Sequence, residues 1–166
     1  MRYRSERGQS LVEFALILPV LMLMLVGTLD FGRVVLANDT ISNAAREAAR
    51  YAIVHGSTAA SGCPAGPLPS DVEPPAASAD CPYPSPSKES IREVAKGWAT
   101  SGGHPVVVEV CYGTGCSGDD DALNATNVRG TPVTVTVRST VTMAAAGVVG
   151  FNQFGVSSQS TMKVNQ

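Results

Sequence analysis

Leu11-Val12-Glu13-Phe14-Ala15-Leu16-Ile17-Leu18-Pro19-Val20-Leu21-Met22-Leu23-Met24-Leu25-Val26-Gly27-Thr28-Leu29 is the stretch that decides how the rest of the chain is read. No charged residue occurs from Phe14 to Leu29. Those residues make a helix of about 24 Å, slightly short of a hydrocarbon core of about 30 Å. Counting from Leu11, with the Glu13 carboxylate reaching toward the headgroups, the helix is roughly 28 Å long and spans. Arg2, Arg4 and Arg7 precede it against a lone Glu6, which places the N-terminus on the cytoplasmic side. Pro19 removes one backbone hydrogen bond inside the span, a defect that membrane helices tolerate.

Beyond the span the helix continues. Ile41, Ala44, Ala45, Ala48 and Ala52 recur at helical spacing, with Asn43, Arg46, Glu47 and Arg50 opposite them. His55-Gly56 supplies the stop. Small side chains along one stripe permit close packing, against either the outer domain or a second subunit.

Three readings of the N-terminal segment compete. One is an uncleaved signal anchor. Another is a secretory signal cut near Val35-Leu36-Ala37, but the apolar stretch exceeds the usual length and Asp30 and Arg33 intervene. The third, which we favour, is a prepilin-like leader. It needs a short basic leader, a glycine at the cut and a glutamate five residues into the mature chain, ahead of an apolar helix. Gly8, Gln9 and Glu13 meet that pattern. A carboxylate at the edge of a bilayer helix is costly unless paired, and a free α-amino group at Gln9 of a neighbouring subunit is a natural partner for Glu13.

Arg7-Gly8-Gln9-Ser10-Leu11-Val12-Glu13-Phe14-Ala15-Leu16-Ile17-Leu18-Pro19 resembles the opening of TadE-like proteins of the tight-adherence (Tad) pilus system. Asp30-Phe31-Gly32-Arg33 and Asn43-Ala44-Ala45-Arg46-Glu47-Ala48-Ala49-Arg50-Tyr51-Ala52 look like the same family's continuation. The resemblance covers Arg7 to Val54. It implies a minor pilin or pseudopilin of a bacterial cell membrane, cut after Gly8 by a prepilin peptidase. It also implies work alongside other pilin-like subunits and the pilus inner-membrane platform, in adhesion or biofilm formation, without enzymatic activity. Ser57 to Asp80 departs from the compact members of that family.

Composition agrees with an anchored domain and excludes other classes. Net charge is −2 and charged residues make up 16% of the chain, so a nucleic-acid partner is not expected. Cys63, Cys81, Cys111 and Cys116 all lie beyond the span, which reads as two disulfides in an extracytoplasmic domain. Three pairings are possible. Cys63–Cys81 with Cys111–Cys116 is favoured because each pair brackets a Pro- or Gly-rich loop. No catalytic motif involves His55 or His104, no cofactor is expected, and no zinc spacing is present. Asp119-Asp120-Asp121 is a calcium candidate, read more readily as a solvated acidic turn.

The expected fold is α+β: a long N-terminal transmembrane-plus-amphipathic helix, a short second helix, an antiparallel sheet of about three strands, and disulfide-pinned loops. Residues 1–8 form the leader, 9–56 the helix, 57–87 a Pro-rich exposed loop and 88–166 the small α+β domain. The second helix is expected to begin at Ser85-Pro86, burying Ile91, Val94, Ala95 and Trp98, and to stop at Gly102-Gly103. Strands are expected over Pro105–Cys111, Thr131–Thr142 and about Val156–Val164, the middle one with strict alternation. Two functional classes remain: an assembly component whose helix packs into a filament, and a tethered binding protein whose cystine loops touch a surface.

Overall fold

A computed structural model describes residues 7–59, 62–99, 105–144, 147, 150 and 153–165. Most of the basic leader (Arg2, Arg4, Glu6), the expected helix stop at Gly102-Gly103 and His104 lie outside the described residues. Helix α1 runs Arg7–Val54, helix α2 Glu89–Ala99, and strands β1, β2 and β3 run Val106–Tyr112, Pro132–Thr142 and Gln153–Lys163. The strands form one antiparallel sheet in the order β1-β2-β3.

One helix serves two environments. Residues 8–25 of α1 are exposed throughout, while Ala37, Ile41, Ala44, Ala45, Ala48, Ala49 and Ala52 are buried. The sheet supplies the other side of the core through Val108, Val110, Val133, Val135, Val137 and Val141. Alanine lets the helix backbone approach closely, and β-branched valines suit a pleated surface. The expected alternation in β2 is present: Val133, Val135 and Val137 face the helix, and Ser139 and Val141 extend the buried row. On the outer face Thr134 shares a 2.9 Å hydrogen bond with Thr161, and Arg138 pairs with Glu109 at 3.0 Å.

The start and the face of α2 both differ from the sequence expectation. Ser85 is buried, with its hydroxyl donating to the Gly66 carbonyl, so it fastens the preceding loop instead of capping a helix. The helix starts later, where the Lys88 carbonyl accepts from the Ile91 and Arg92 N–H groups and Ser87 Oγ accepts from the Glu89 N–H. Its buried stripe is Ile91, Ala95 and Ala99, spaced four apart. Trp98 points away from that stripe and is 54% exposed, so it is not the core anchor. Tyr112 is, being the largest fully buried side chain of the described residues.

Segment 57–87 is not a solvated spacer over its whole length. Cys63, Pro64, Ala65 and Gly66 are buried as a plug against the upper end of the sheet. The Ala65 carbonyl accepts from Tyr112 Oη at 3.1 Å and Asn127 Nδ2 at 2.8 Å. Ala65 N–H donates to the His55 carbonyl, Gly66 N–H to Ser87, and Asn127 N–H to the Pro67 carbonyl. Cys63 is bonded to Cys81 and Cys111 to Cys116. Among the described residues of the loop, most of the exposed ones lie beyond Pro69.

Gly66 holds this plug in place. Its φ is +83°, and a Cβ there would collide with the Tyr112 ring. Gly66→Ala therefore adds backbone strain to a steric clash, and should cost more than about 2 kcal/mol. Urea unfolding of the detergent-solubilised, disulfide-intact chain checks this. A variant within experimental error of the parent would show that the plug is not coupled to the sheet.

Candidate functional site

The residues singled out at the N-terminus share one exposed turn of α1. Gly8, Gln9 and Glu13 are all exposed, and Gln9 Nε2 donates to Glu13 Oε1 at 3.2 Å. The four-residue spacing places the two side chains on one face, so backbone position 9 and the Glu13 carboxylate are close neighbours. No atom lies within 4 Å of where a Gly8 Cβ would be. Glycine in a helix costs roughly 1 kcal/mol relative to alanine, and packing within the chain gives no reason for it here. Gly27 and Gly32 are equally unopposed, so emptiness alone does not mark position 8. What distinguishes Gly8 is its setting, with Arg7 before it and Glu13 one turn beyond Gln9.

Where α1 leaves the exposed segment, Asp30 is only 4% exposed and lies 3.8 Å from Arg33. The first charge after the apolar stretch is thus turned toward the domain and shielded by it.

The acidic run at the opposite end is exposed at Asp119 and Asp120, as a solvated turn would be, and two of its carboxylates are also engaged by the chain. Asp119 Oδ1 accepts from the Val110 N–H at 2.9 Å and pairs with Arg92 at 2.9 Å. Asp121 Oδ1 accepts from the Tyr112 N–H at 2.7 Å and pairs with Lys88 at 2.9 Å. Lys88 Nζ also donates to the carbonyls of Val110 and Asp119. Val110 and Tyr112 are alternate residues of β1, so their outward N–H groups would otherwise be open at the sheet edge. The Asp-x-Asp spacing matches that period of two, and the carboxylates stand where another strand would. Two of the three carboxylates already face cations of this chain. Among the described residues no group of three His, Cys, Asp or Glu is placed to hold a metal ion.

The electrostatics follow from these contacts. Burial opposes ionisation of Asp119, but the Val110 N–H bond and the Arg92 guanidinium outweigh it and hold its carboxyl below the ordinary value. Arg92 is raised, chiefly by its hydrogen bond with Asp119. Glu89 is lowered, first by its hydrogen bond from Lys96. Burial, then the Asp121 charge, pushes the Tyr112 hydroxyl up, so it stays a proton donor to Ala65. His55 stacks on Tyr51 with centroids 3.8 Å apart, and its Nδ1 lies 2.9 Å from the Tyr51 carbonyl, closing the end of α1.

Sequence reading missed the hub formed by Gly66, Tyr112 and Asn127, and the pairing of Lys88 and Arg92 with Asp119 and Asp121. Only the second left a sequence signal, the two-residue Asp spacing beside a strand of the same period.

Among the described residues one helix is long and apolar enough to cross a bilayer, and it carries a small disulfide-bonded α+β domain, the organisation of a membrane-anchored protein. Within that class, the family model described as TadE-like protein matches residues 8–50, which lie in α1. The resemblance seen in the sequence is thereby upheld for the helix. No curated protein and no solved structure matches the chain at the similarity required of a relative.

Asp119 offers a pH test. Its folded-state pKa is depressed, so its contribution to stability is present above the ordinary carboxylate range and is lost as pH falls through the folded value. Asp119→Asn should lower the melting temperature by about 2–5 °C near neutral pH, with the difference from the parent shrinking as pH is taken from neutral into the acid range and the carboxylate is protonated. Circular dichroism melts across that range provide the measurement. A difference independent of pH would assign the effect to shape, not charge.

Proposed function

We propose that this chain is a minor pilin or pseudopilin that takes part in assembling a Tad-type pilus, and that a prepilin peptidase matures it by cutting between Gly8 and Gln9. The observation that carries this reading is the TadE-like match, which begins at Gly8 and continues along α1. Three features of the same segment support it. The bond between Gly8 and Gln9 lies on an exposed turn. Glu13 sits one turn from position 9, where a freed α-amino group would arise. The helix from Gly8 to Leu25 makes no buried contact with its own domain, which leaves it for lipid or for other subunits.

In this mechanism the N-terminus starts in the cytoplasm and the disulfide-bonded domain lies outside the membrane. Cleavage exchanges a basic leader for an α-amino group at Gln9. As a helix is drawn from the membrane, its Glu13 carboxylate and a neighbour's amino group neutralise each other, so neither enters an apolar filament core as a lone charge. The protein's partners are the peptidase, other pilin-like subunits and the inner-membrane platform. The role is non-catalytic, and the domain's ion pairs and disulfides keep it folded outside the cell.

Peptide mass spectrometry of the protein from its native membrane tests this. A mature chain starting at Gln9 is expected, with Gly8→Val retaining the leader and Glu13→Ala cut normally but absent from pili. A chain starting at Met1 would overturn the mechanism and leave a tethered binding protein with an uncleaved anchor.

A further inference from the structure

The domain has a distal and a membrane-proximal end, and the two differ in chemistry. Asn165 N–H donates to the Ile53 carbonyl, which fixes the end of β3 beside the end of α1. Since the sheet packs on α1, the strands must run back along the helix from that point. β3 has eleven residues, about 36 Å, the length of about 24 helical residues. Counted down from Ile53, that reaches the level of Leu29. The antiparallel register puts Thr142 and Gln153 at this low end, with Val106 three rows above. Helix α2 runs the same way down. Lys88 reaches the Val110 carbonyl near the top of β1, and the chain is back at Pro105, below β1, six residues after Ala99. Eleven helical residues descend about 16 Å, so Trp98, in the last turn of α2, lies near the level of Val106 and Val107 at the foot of β1.

All four cysteines and the Asp119–Asp121 cluster sit at the distal end. At the proximal end no charged residue occurs in sequence between Arg138 and Lys163. The exposed large apolar side chains there are Leu29, Phe31 and Leu36 on α1, Trp98 on α2, Val107 on β1 and Phe154 on β3, with Arg33 on α1 and Arg138, opposite Val107, as exposed charges beside them. Phe31 and Leu36 are 70% and 67% exposed, whereas Asp30, one residue before Phe31, is turned inward. Arg33 faces outward, on a stem long enough to bring its guanidinium to phosphate groups.

We propose that this rim is a second membrane contact, seated in the headgroup layer of the leaflet on the domain side, with Trp98 as its interfacial anchor. The occupant follows from continuity. Exposed apolar side chains run along α1 from Leu11 to Leu36, about 39 Å, with Glu13 near one end and Arg33 near the other as exposed charges, a span longer than the hydrocarbon core yet within the 40–45 Å of a bilayer with its headgroups. Indole rings concentrate at that depth because they have an apolar body and a polar N–H. The domain thus stands on the bilayer instead of swinging above it. This inference rests on the membrane-anchor part of the reading above and on neither cleavage nor filament assembly.

Trp98 is the only tryptophan, so its fluorescence reports the contact directly. The full chain is reconstituted in vesicles of phosphatidylethanolamine and phosphatidylglycerol containing lipids with a nitroxide near the headgroup or near the chain terminus. The expected result is blue-shifted emission quenched at least about twofold more by the shallow nitroxide, unchanged on diluting the protein in lipid. Leu123→Trp in a Trp98→Phe background reports from the distal end and should escape quenching. Flotation with vesicles but no quenching of Trp98 would overturn the rim and leave the anchor intact. Quenching or a blue shift seen only at high protein density would assign the surface to a second copy, and equal quenching at position 123 would mean nonspecific adsorption; each overturns the proposal. Failure to float would overturn the anchor itself, and the rim with it.

Discussion

The close seating of an alanine stripe against a valine-faced sheet is the contact on which the rest of this molecule depends. Ala44, Ala45, Ala48, Ala49 and Ala52 leave no accessible surface, and neither do Val110, Val133, Val135, Val137 and Val141. Small residues on the helix and branched residues on the strands fill a thin interface without long side chains that would lose rotamer freedom. A chain with 5% aromatic residues has few other ways to make a core. The disulfides, the plug at Ala65 and Gly66 and the Asp119 and Asp121 edge all sit around the upper rim of this interface. They secure it where the sheet would otherwise be open.

That arrangement separates two tasks along one helix. Above Ala37, α1 is a core element of its domain; below Leu25 it has no intramolecular partner. The turn between them carries Asp30, whose burial hides the first charge after the apolar stretch. The lower segment is free to exchange one apolar environment for another, lipid or neighbouring helices, without disturbing the fold above.

Long periodic patterns made much of this legible in sequence. Sustained hydrophobicity gave α1, and alternation at Val133, Val135 and Val137 gave β2. The local disulfides followed from Pro- and Gly-rich loops between the cysteines. Errors arose where a short-range signal met a long-range contact. Ser85-Pro86 reads as a helix start, yet Gly66, nineteen residues away, claims the Ser85 hydroxyl. Trp98 lies one residue off the Ile91–Ala95–Ala99 stripe, a rotation of about 100° that the spacing of an eleven-residue helix does not resolve. The Ala65–Tyr112–Asn127 hub joins two loops to the end of β1 across long stretches of chain, and no local pattern announces it. The N-terminal residues are a different case: Gly8 and Glu13 were picked out by sequence alone, and the fold adds that neither is needed inside the chain.

The closing bond between Asn165 and Ile53 also orders events in time. The alanine stripe is the first part of the core to be made, whereas β3, which fastens the sheet to the end of that helix, is the last of the five elements in chain order. Contacts between such distant segments form late and slowly, because the loop between them must close first. Until then the part of the stripe that β3 covers is open, and small-residue stripes are surfaces on which helices readily pair. The chain thus passes through an interval in which part of its helix face is open to other helices, and arrival of β3 closes that face within the single folded chain.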